Sequence, residues 1–232
     1  MPRITDGAKP SPNIWKFPAV YELENNASDP DGLIDAELRR LQSWSGADVL
    51  DIGCGTGFHL PRFAADAANV IGVEPHADLV SLAQRRVASY ANVDVRQGSA
   101  QALPVADRSV DLAHARWAYF FGPGCEPGLR ELDRVMRPGG LAVIVDNDAE
   151  RSTFGRWFSR SLPSYDAWAV ETFFSARGWR ATRLDIRWVF ESRADFESVI
   201  RIEFAPDQAD LILGEHAGTE VDYSVVVRAR QY

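Results

Sequence analysis

Val49-Leu-Asp-Ile-Gly-Cys-Gly-Thr-Gly57 joins a short apolar run to three alternating glycines. Residues 48–52 read as a buried strand. Glycines at 53, 55 and 57 allow a tight turn with positive φ and let a ligand approach the backbone closely. A helix over 58–67 follows, with Pro61 tolerated in its first turn. In an open parallel sheet, ligands bind at the carboxyl end of such a strand.

Outward from this loop the pattern repeats. Residues 69–74 form a second strand ending in Glu74, which lies 21 residues beyond Gly53. A carboxylate there stands at the end of the adjacent strand, within reach of both hydroxyls of a ribose. A helix over 77–90 carries Leu79, Val80, Ala83 and Val87 on one face. Strands over 93–97 and 110–115 come next. A helix over 127–136 is stopped by Arg137-Pro-Gly-Gly140 and leads to a strand over 141–146. Repeated strand–helix units of this length mean an α/β chain with a parallel sheet and helices on both faces.

Upstream, Asp29-Pro-Asp-Gly32 is a turn that opens a helix running up to Trp44. Residues 1–18 hold Pro2, Pro10, Pro12 and Pro18 and read as an irregular arm. Its aromatic anchors Trp15, Phe17 and Tyr21 fold it back onto the body. Downstream, a helix over 167–177 ends at Gly178. Strands over 182–190 and 221–230 bring the count to seven, with helices over 194–204 and 206–216 between them. The chain reads as one domain, 1–232, with an arm over 1–28, a cofactor-binding core over 29–150 and a C-terminal part over 151–232. That last part contains a helical insertion over 191–219.

Composition narrows the function. A chain of 232 residues, 46% hydrophobic and 25% charged, builds its own core without disulfides or metals. Acidic residues outnumber basic ones 33 to 25, a net charge of −8, which argues against a nucleic-acid backbone as main partner. Two cysteines make no disulfide framework, and scattered histidines show no zinc spacing. The start shows no signal peptide, and no apolar run approaches the ~20 residues of a membrane span. The expectation is a soluble cytoplasmic protein that binds neither membrane nor nucleic acid and acts on a small molecule. Nothing in the sequence sets its oligomeric state.

Which ribose-bearing cofactor does the loop fit? A dinucleotide loop is Gly-x-Gly-x-x-Gly, whereas this one is Gly-x-Gly-x-Gly. Asp51, just before it, repels a pyrophosphate but suits an ammonium and a sulfonium, as in S-adenosyl-L-methionine (SAM). The run 49–57 resembles the first motif of class I SAM-dependent methyltransferases, and four further segments match in order. Residues 70–74 resemble the second motif with its ribose acid. Gly98-Ser-Ala-Gln-Ala-Leu-Pro104 resembles the segment that frames the adenine. Ser109-Val-Asp-Leu112 resembles the strand entering the reaction site, and residues 132–140 the run before the fifth strand. The resemblance covers about 34–146 and is closest to the small-molecule "type 11" branch. Ser99 departs from it, standing where that branch has Asp, so its contact to the adenine lacks charge assistance.

The resemblance implies a Rossmann-like class I methyltransferase fold with a seven-stranded, mostly parallel sheet. It implies cofactor contacts from Asp51, Gly53, Cys54, Gly55, Gly57, Glu74, Pro75, Ser99, Ala100, Gln101 and Ala115. Tyr21 joins them from the arm, which folds over the cofactor as a lid in relatives. Trp15 and Asn25 lie on the same arm, and packing is the alternative role for Trp15.

Methyl transfer is an in-line displacement, so the protein mainly positions the nucleophile. Candidates for the chemistry are His59 after the glycine loop, Arg116 ending the fourth strand and Asp146 ending the fifth. Arg116 either anchors a substrate carboxylate or pairs with Asp146. His114, inside its strand, reads as a satisfied interstrand histidine. Asp146-Asn-Asp148 reads as a turn rather than a magnesium site, and no metal is expected. Trp117 and Tyr119 also follow the fourth strand. Trp188, Phe196 and Phe204 form either part of a substrate cap or cover for the edge of the sheet. Neither an Asn-Pro-Pro-Tyr nor a Pro-Cys nucleophile is present, which removes two nucleic-acid classes. The function implied is a SAM-dependent methyltransferase that acts on a small-molecule acceptor and releases S-adenosylhomocysteine. Its rivals are a non-catalytic SAM-binding module of the same fold and a nucleotide-dependent oxidoreductase.

Ligands that bind only the native state raise its stability, by about 2.7 kcal/mol at a hundred times Kd. S-adenosylhomocysteine is therefore expected to raise the melting temperature, and NAD and NADP to leave it unchanged. Differential scanning fluorimetry reads this directly, and the reverse pattern overturns the choice of cofactor.

Overall fold

The structure, a computed structural model, describes residues 8–232. The chain opens with α1 (Pro12–Lys16), α2 (Pro18–Ala27) and α3 (Leu33–Leu41), then enters β1 (Asp48–Ile52). Next come α4 (Leu60–Ala64), β2 (Asn69–Glu74), α5 (Ala77–Arg86), β3 (Val93–Gln97) and β4 (Val110–Arg116). They are followed by α6 (Glu126–Val135), β5 (Met136–Asn147), α7 (Ser152–Ser161) and α8 (Ala167–Ser175). The chain closes with β6 (Arg180–Val189), α9 (Arg193–Glu203), α10 (Pro206–Glu215) and β7 (Glu220–Gln231).

The seven strands form one sheet in the order β3-β2-β1-β4-β5-β7-β6. β1 to β5 run parallel, and β7 runs antiparallel between β5 and β6. Strand order reverses between β1 and β4, which opens a crevice at their carboxyl ends. The sheet is covered on both faces. One face packs on Leu38, Phe63, Ala83, Trp157, Phe196 and Ile212 from α3, α4, α5, α7, α9 and α10. The other packs on Leu132 of α6, Phe174 of α8 and Leu103 in the loop after β3. This is the Rossmann-like, mostly parallel α/β fold that the sequence predicts.

Several local expectations are corrected. The arm is helical, not irregular. Pro12 opens α1 and Pro18 opens α2, so prolines that read as breakers are helix starts. A first-turn proline loses no intrahelical hydrogen bond, and its fixed φ suits the helix. Residues 1–7 of the expected arm, Pro2 among them, lie outside the described residues. The Arg137–Gly140 run is not a helix stop. α6 ends at Val135, and residues 137–140 already belong to β5, with a register shift against β4 there. α7 has no counterpart in the sequence reading because Gly155 breaks its pattern. That glycine lets the helix lie against the chain, since a Cβ there would stand 2.5 Å from the Asp148 carbonyl oxygen.

Trp188, Phe196 and Phe204 pack as interior, not as a substrate cap. Trp188 and Phe196 have no exposed surface. Phe154 of α7 meets Trp188 edge-on at 4.8 Å and lies 5.9 Å from Phe204. The insertion between β6 and β7 therefore builds a second stretch of core over the sheet edge.

Truncating a fully buried aromatic side chain costs about 3–5 kcal/mol through lost contacts and a cavity. Trp188→Ala is expected to lose that much in urea unfolding followed by circular dichroism. A loss below about 1 kcal/mol would mean that the aromatic cluster does not hold this edge together.

Candidate active site

The crevice between β1 and β4 is a cleft lined by the glycine loop, the end of β2, the segment after β3, the segment after β4 and the arm. Gly53 leaves β1 with φ +74, and a Cβ on it would stand 2.5 Å from the Ala118 Cβ. Only glycine satisfies both demands, the left-handed backbone and the contact with the chain after β4. Ile14 of α1 lies against Gly55, so the arm rests on the loop itself. Gly57 faces Ala83 of α5 and does not line the cleft.

Glu74 holds the loop from the side. It is 4% exposed. Its Oε2 accepts from the Gly55 N–H at 3.2 Å and its Oε1 from the His76 N–H at 2.9 Å. Burial pushes its carboxyl up to about 7 against those two N–H groups, and the charge of Asp51 adds to the rise. A carboxylate has about four lone-pair positions, so both oxygens keep capacity for hydroxyls in the cleft.

Asp51 is placed differently from its expected role at the loop. Its Oδ1 pairs with His114 Nδ1 at 2.8 Å, across neighbouring strands in register. It is buried and outside the cleft wall. The amides of Gly53 and Cys54 are held by the Val73 carbonyl instead. His114 is therefore the satisfied interstrand histidine that the sequence suggests.

Cys54, Pro75, Ser99, Ala100 and Gln101 line the cleft, while Ala115 points into the core on the far face of the sheet. Ser99 is 2% exposed, and its hydroxyl has no partner among the described residues. From the arm, Tyr21, Asn25 and Trp15 line the cleft, with Trp15 5.0 Å from the His76 ring. Glu22 of α2 accepts from Thr56 of the glycine loop and from Arg86 of α5 at 2.6 Å. The arm is thus bonded to the loop it covers.

The three candidates for the chemistry divide. His59 and Arg116 line the cleft, and Asp146 does not. Burial first, then the positive charge of Arg116, lowers the His59 pKa well below its ordinary range. The imidazole is neutral at neutral pH. Arg116 donates to the Ser28 hydroxyl at 3.1 Å and forms no bond with Asp146. Asp146 is buried, accepting from the Asn147 N–H, with its carboxyl pushed up to about 6 by burial against the pull of Arg228. Asp148 pairs with Arg183 at 3.0 Å. Among the described residues no group of three or more His, Cys, Asp or Glu side chains is placed to hold a metal.

Sequence reasoning missed Lys9, Ile14, Thr56, Phe58, Ala118 and Phe121, all of which line the cleft. The aromatic run after β4 is the one signal that points to part of this set. Trp117 and Tyr119, in that run, hold φ +49 and +54, strained values that cluster at functional sites.

A family model described as a methyltransferase domain matches residues 49–140. An uncharacterised methyltransferase-like protein of Schizosaccharomyces pombe is 28% identical over 145 residues, covering 58% of this chain and 55% of that one. The demethylmenaquinone methyltransferase of Staphylococcus aureus is 26% identical over 188 residues, covering 73% of this chain and 76% of its own. The chain thus spans between about half and three quarters of these relatives. A SAM-dependent methyltransferase structure from Aquifex aeolicus superposes with TM-score 0.59 at 19% identity, over 90% of this chain and 97% of the other, a likeness of fold. Strand order, glycine loop and the methyltransferase-domain match over residues 49–140 together support a class I SAM-dependent methyltransferase. SAM is the cofactor that goes with this class. The residues present fit it, above all the buried Glu74 carboxylate and the orphan Ser99 hydroxyl.

A ligand that needs Glu74 ionised binds better as pH rises through its pKa. With that carboxyl at about 7, affinity for S-adenosylhomocysteine is expected to rise between about pH 6 and pH 8. Glu74→Gln should flatten the rise and weaken binding about 10–1000-fold. Calorimetry at three pH values checks both, and an unchanged profile in a folded variant removes Glu74 from the site.

Proposed function

We propose that the protein transfers a methyl group from SAM to a small-molecule acceptor held in the cleft and releases S-adenosylhomocysteine. The observation that carries this reading is the glycine loop bonded to the buried Glu74, beside a cleft that the arm covers. When bound, the cofactor supplies a methyl group already activated on a sulfonium.

The chain's own residues have the remaining work. In this reading Glu74 accepts from the ribose hydroxyls, and the Ser99 hydroxyl meets the adenine edge. The Gly53–Gly55 backbone lies against the amino-acid end. Trp15 of α1 and Tyr21 of α2 exclude water and complete the wall. Neutral His59 takes the proton of an acceptor that still carries one. Asp51 and Ala115 act from behind the wall, Asp51 by holding His114 and so the end of β1. Asp146 has no part in the chemistry. A small acceptor suits a cleft walled by the arm and by the aromatic run after β4. The quinone named for the Staphylococcus relative is an example of such an acceptor.

Incubation with labelled SAM and a metabolite extract is expected to label a small molecule. No product despite tight binding of S-adenosylhomocysteine would favour a non-catalytic binding module. A general base contributes about 10²–10⁴-fold. His59→Asn is therefore expected to lower kcat by at least a hundredfold at neutral pH and to leave S-adenosylhomocysteine affinity near wild type. Equal turnover in the two proteins would remove His59 as base.

A further inference from the structure

We propose that Arg116 anchors a carboxylate on the methyl acceptor, which makes the acceptor a planar aromatic acid. This rests on the methyl-transfer reading above. Arg116 is the last residue of β4 and lines the cleft. It donates to Ser28 Oγ at 3.1 Å, and its guanidinium lies 4.2 Å from the centre of the Trp117 ring. Its Nε is buried and meets no acceptor among the described residues. No ion pair to Arg116 is present among them either, although other arginines hold carboxylates closely. Arg187, for example, holds Asp31 at 2.8 Å and Glu220 at 2.9 Å.

The acids around Arg116 are committed elsewhere. Asp29 spends both oxygens on the N–H groups of Leu33 and Ile34, each at 2.9 Å, at the start of α3. Glu24 faces Glu203, and burial together with that neighbour pushes its carboxyl up toward the neutral form. A half-buried guanidinium that no carboxylate bonds directly favours a ligand that brings one. Guanidinium and carboxylate match as two parallel hydrogen bonds, and the free edge carrying Nε can join them.

Position separates this anion from the cofactor's ribose and adenine. Glu74 and Ser99 lie at the β2–β3 end of the sheet. The surroundings of Arg116 come from the other end. Ser28 bridges to Trp188 of β6, and Tyr223 of β7 stacks on Trp117 at 6.0 Å, nearly parallel. The wall beyond Arg116 is aromatic, with Trp117, Tyr119 and Phe121 lining the cleft, the first two in strained left-handed conformations. Aromatic side chains and cations share this wall, with Lys9 Nζ 5.3 Å from the centre of the Tyr119 ring, and the two together suit a ring that carries an acid.

The test uses benzoate, salicylate, 4-hydroxybenzoate and cinnamate, each against its carboxamide, titrated by calorimetry into protein saturated with S-adenosylhomocysteine. Wild type is expected to bind at least one acid ten times more tightly than its amide. Arg116→Met should erase that preference and leave S-adenosylhomocysteine affinity within twofold. Equal binding of acid and amide by wild type, or binding of neither, overturns the proposal. So does a tenfold loss of S-adenosylhomocysteine affinity in Arg116→Met, which would assign the guanidinium to the cofactor's carboxylate. The wild-type comparison stands even if the variant fails to fold. Wild type that does not bind S-adenosylhomocysteine at all would instead overturn the methyl-transfer reading and this inference with it.

Discussion

The hydrogen bond from the Gly55 N–H to the buried Glu74 carboxylate is the constraint on which the site depends. It joins the turn after β1 to the end of β2 and fixes the loop's height above the sheet. Gly53, pressed against Ala118, then fixes where the chain after β4 must run. A buried carboxylate is tolerated only when its oxygens are satisfied, and the N–H groups of Gly55 and His76 bond those of Glu74. The same desolvation that raises its pKa strengthens each bond it makes.

The arm and the C-terminal insertion form a second system that supports the first. Asn13 of α1 donates to Glu203 of α9 at 2.6 Å, and Glu24 of α2 faces the same carboxylate. On the opposite side Glu22 grips Thr56 and Arg86. α1 and α2 are thus held between the glycine loop and the insertion. The insertion does not roof the cleft with its own aromatics; it carries the helix on which the arm leans. This gives the elaboration between β6 and β7 a structural purpose at some distance from the chemistry.

Charge is distributed unevenly along the cleft. The β2 end carries the Glu74 carboxylate, while Arg116 and Lys9 bring positive charge to the wall after β4 and the arm. In a protein of net charge −8 these cations stand at the cleft, which favours an acceptor of opposite sign. Neutral His59 stands in the same cleft, its pKa held down by burial first and by the positive charge of Arg116 second.

Alternating strand and helix patterns, the loop Gly53-x-Gly-x-Gly57 and the spacing to Glu74 were enough to read the fold and its cofactor class. These are local signals, because period, glycine and chain direction are written in neighbouring residues. Tertiary structure decided the rest. Pro12 and Pro18 start helices only because the arm finds α9 and the glycine loop to pack on. Asp51 and His114 meet because β1 and β4 are neighbours in register, 63 residues apart in sequence. Trp188, Phe196 and Phe204 are core because α7, hidden from the sequence pattern by Gly155, closes over them. The absence of an ion pair at Arg116 is a property of where Asp29, Glu24 and Asp146 were placed. Contacts between distant segments are set by packing and desolvation over the whole chain, and no local pattern encodes them.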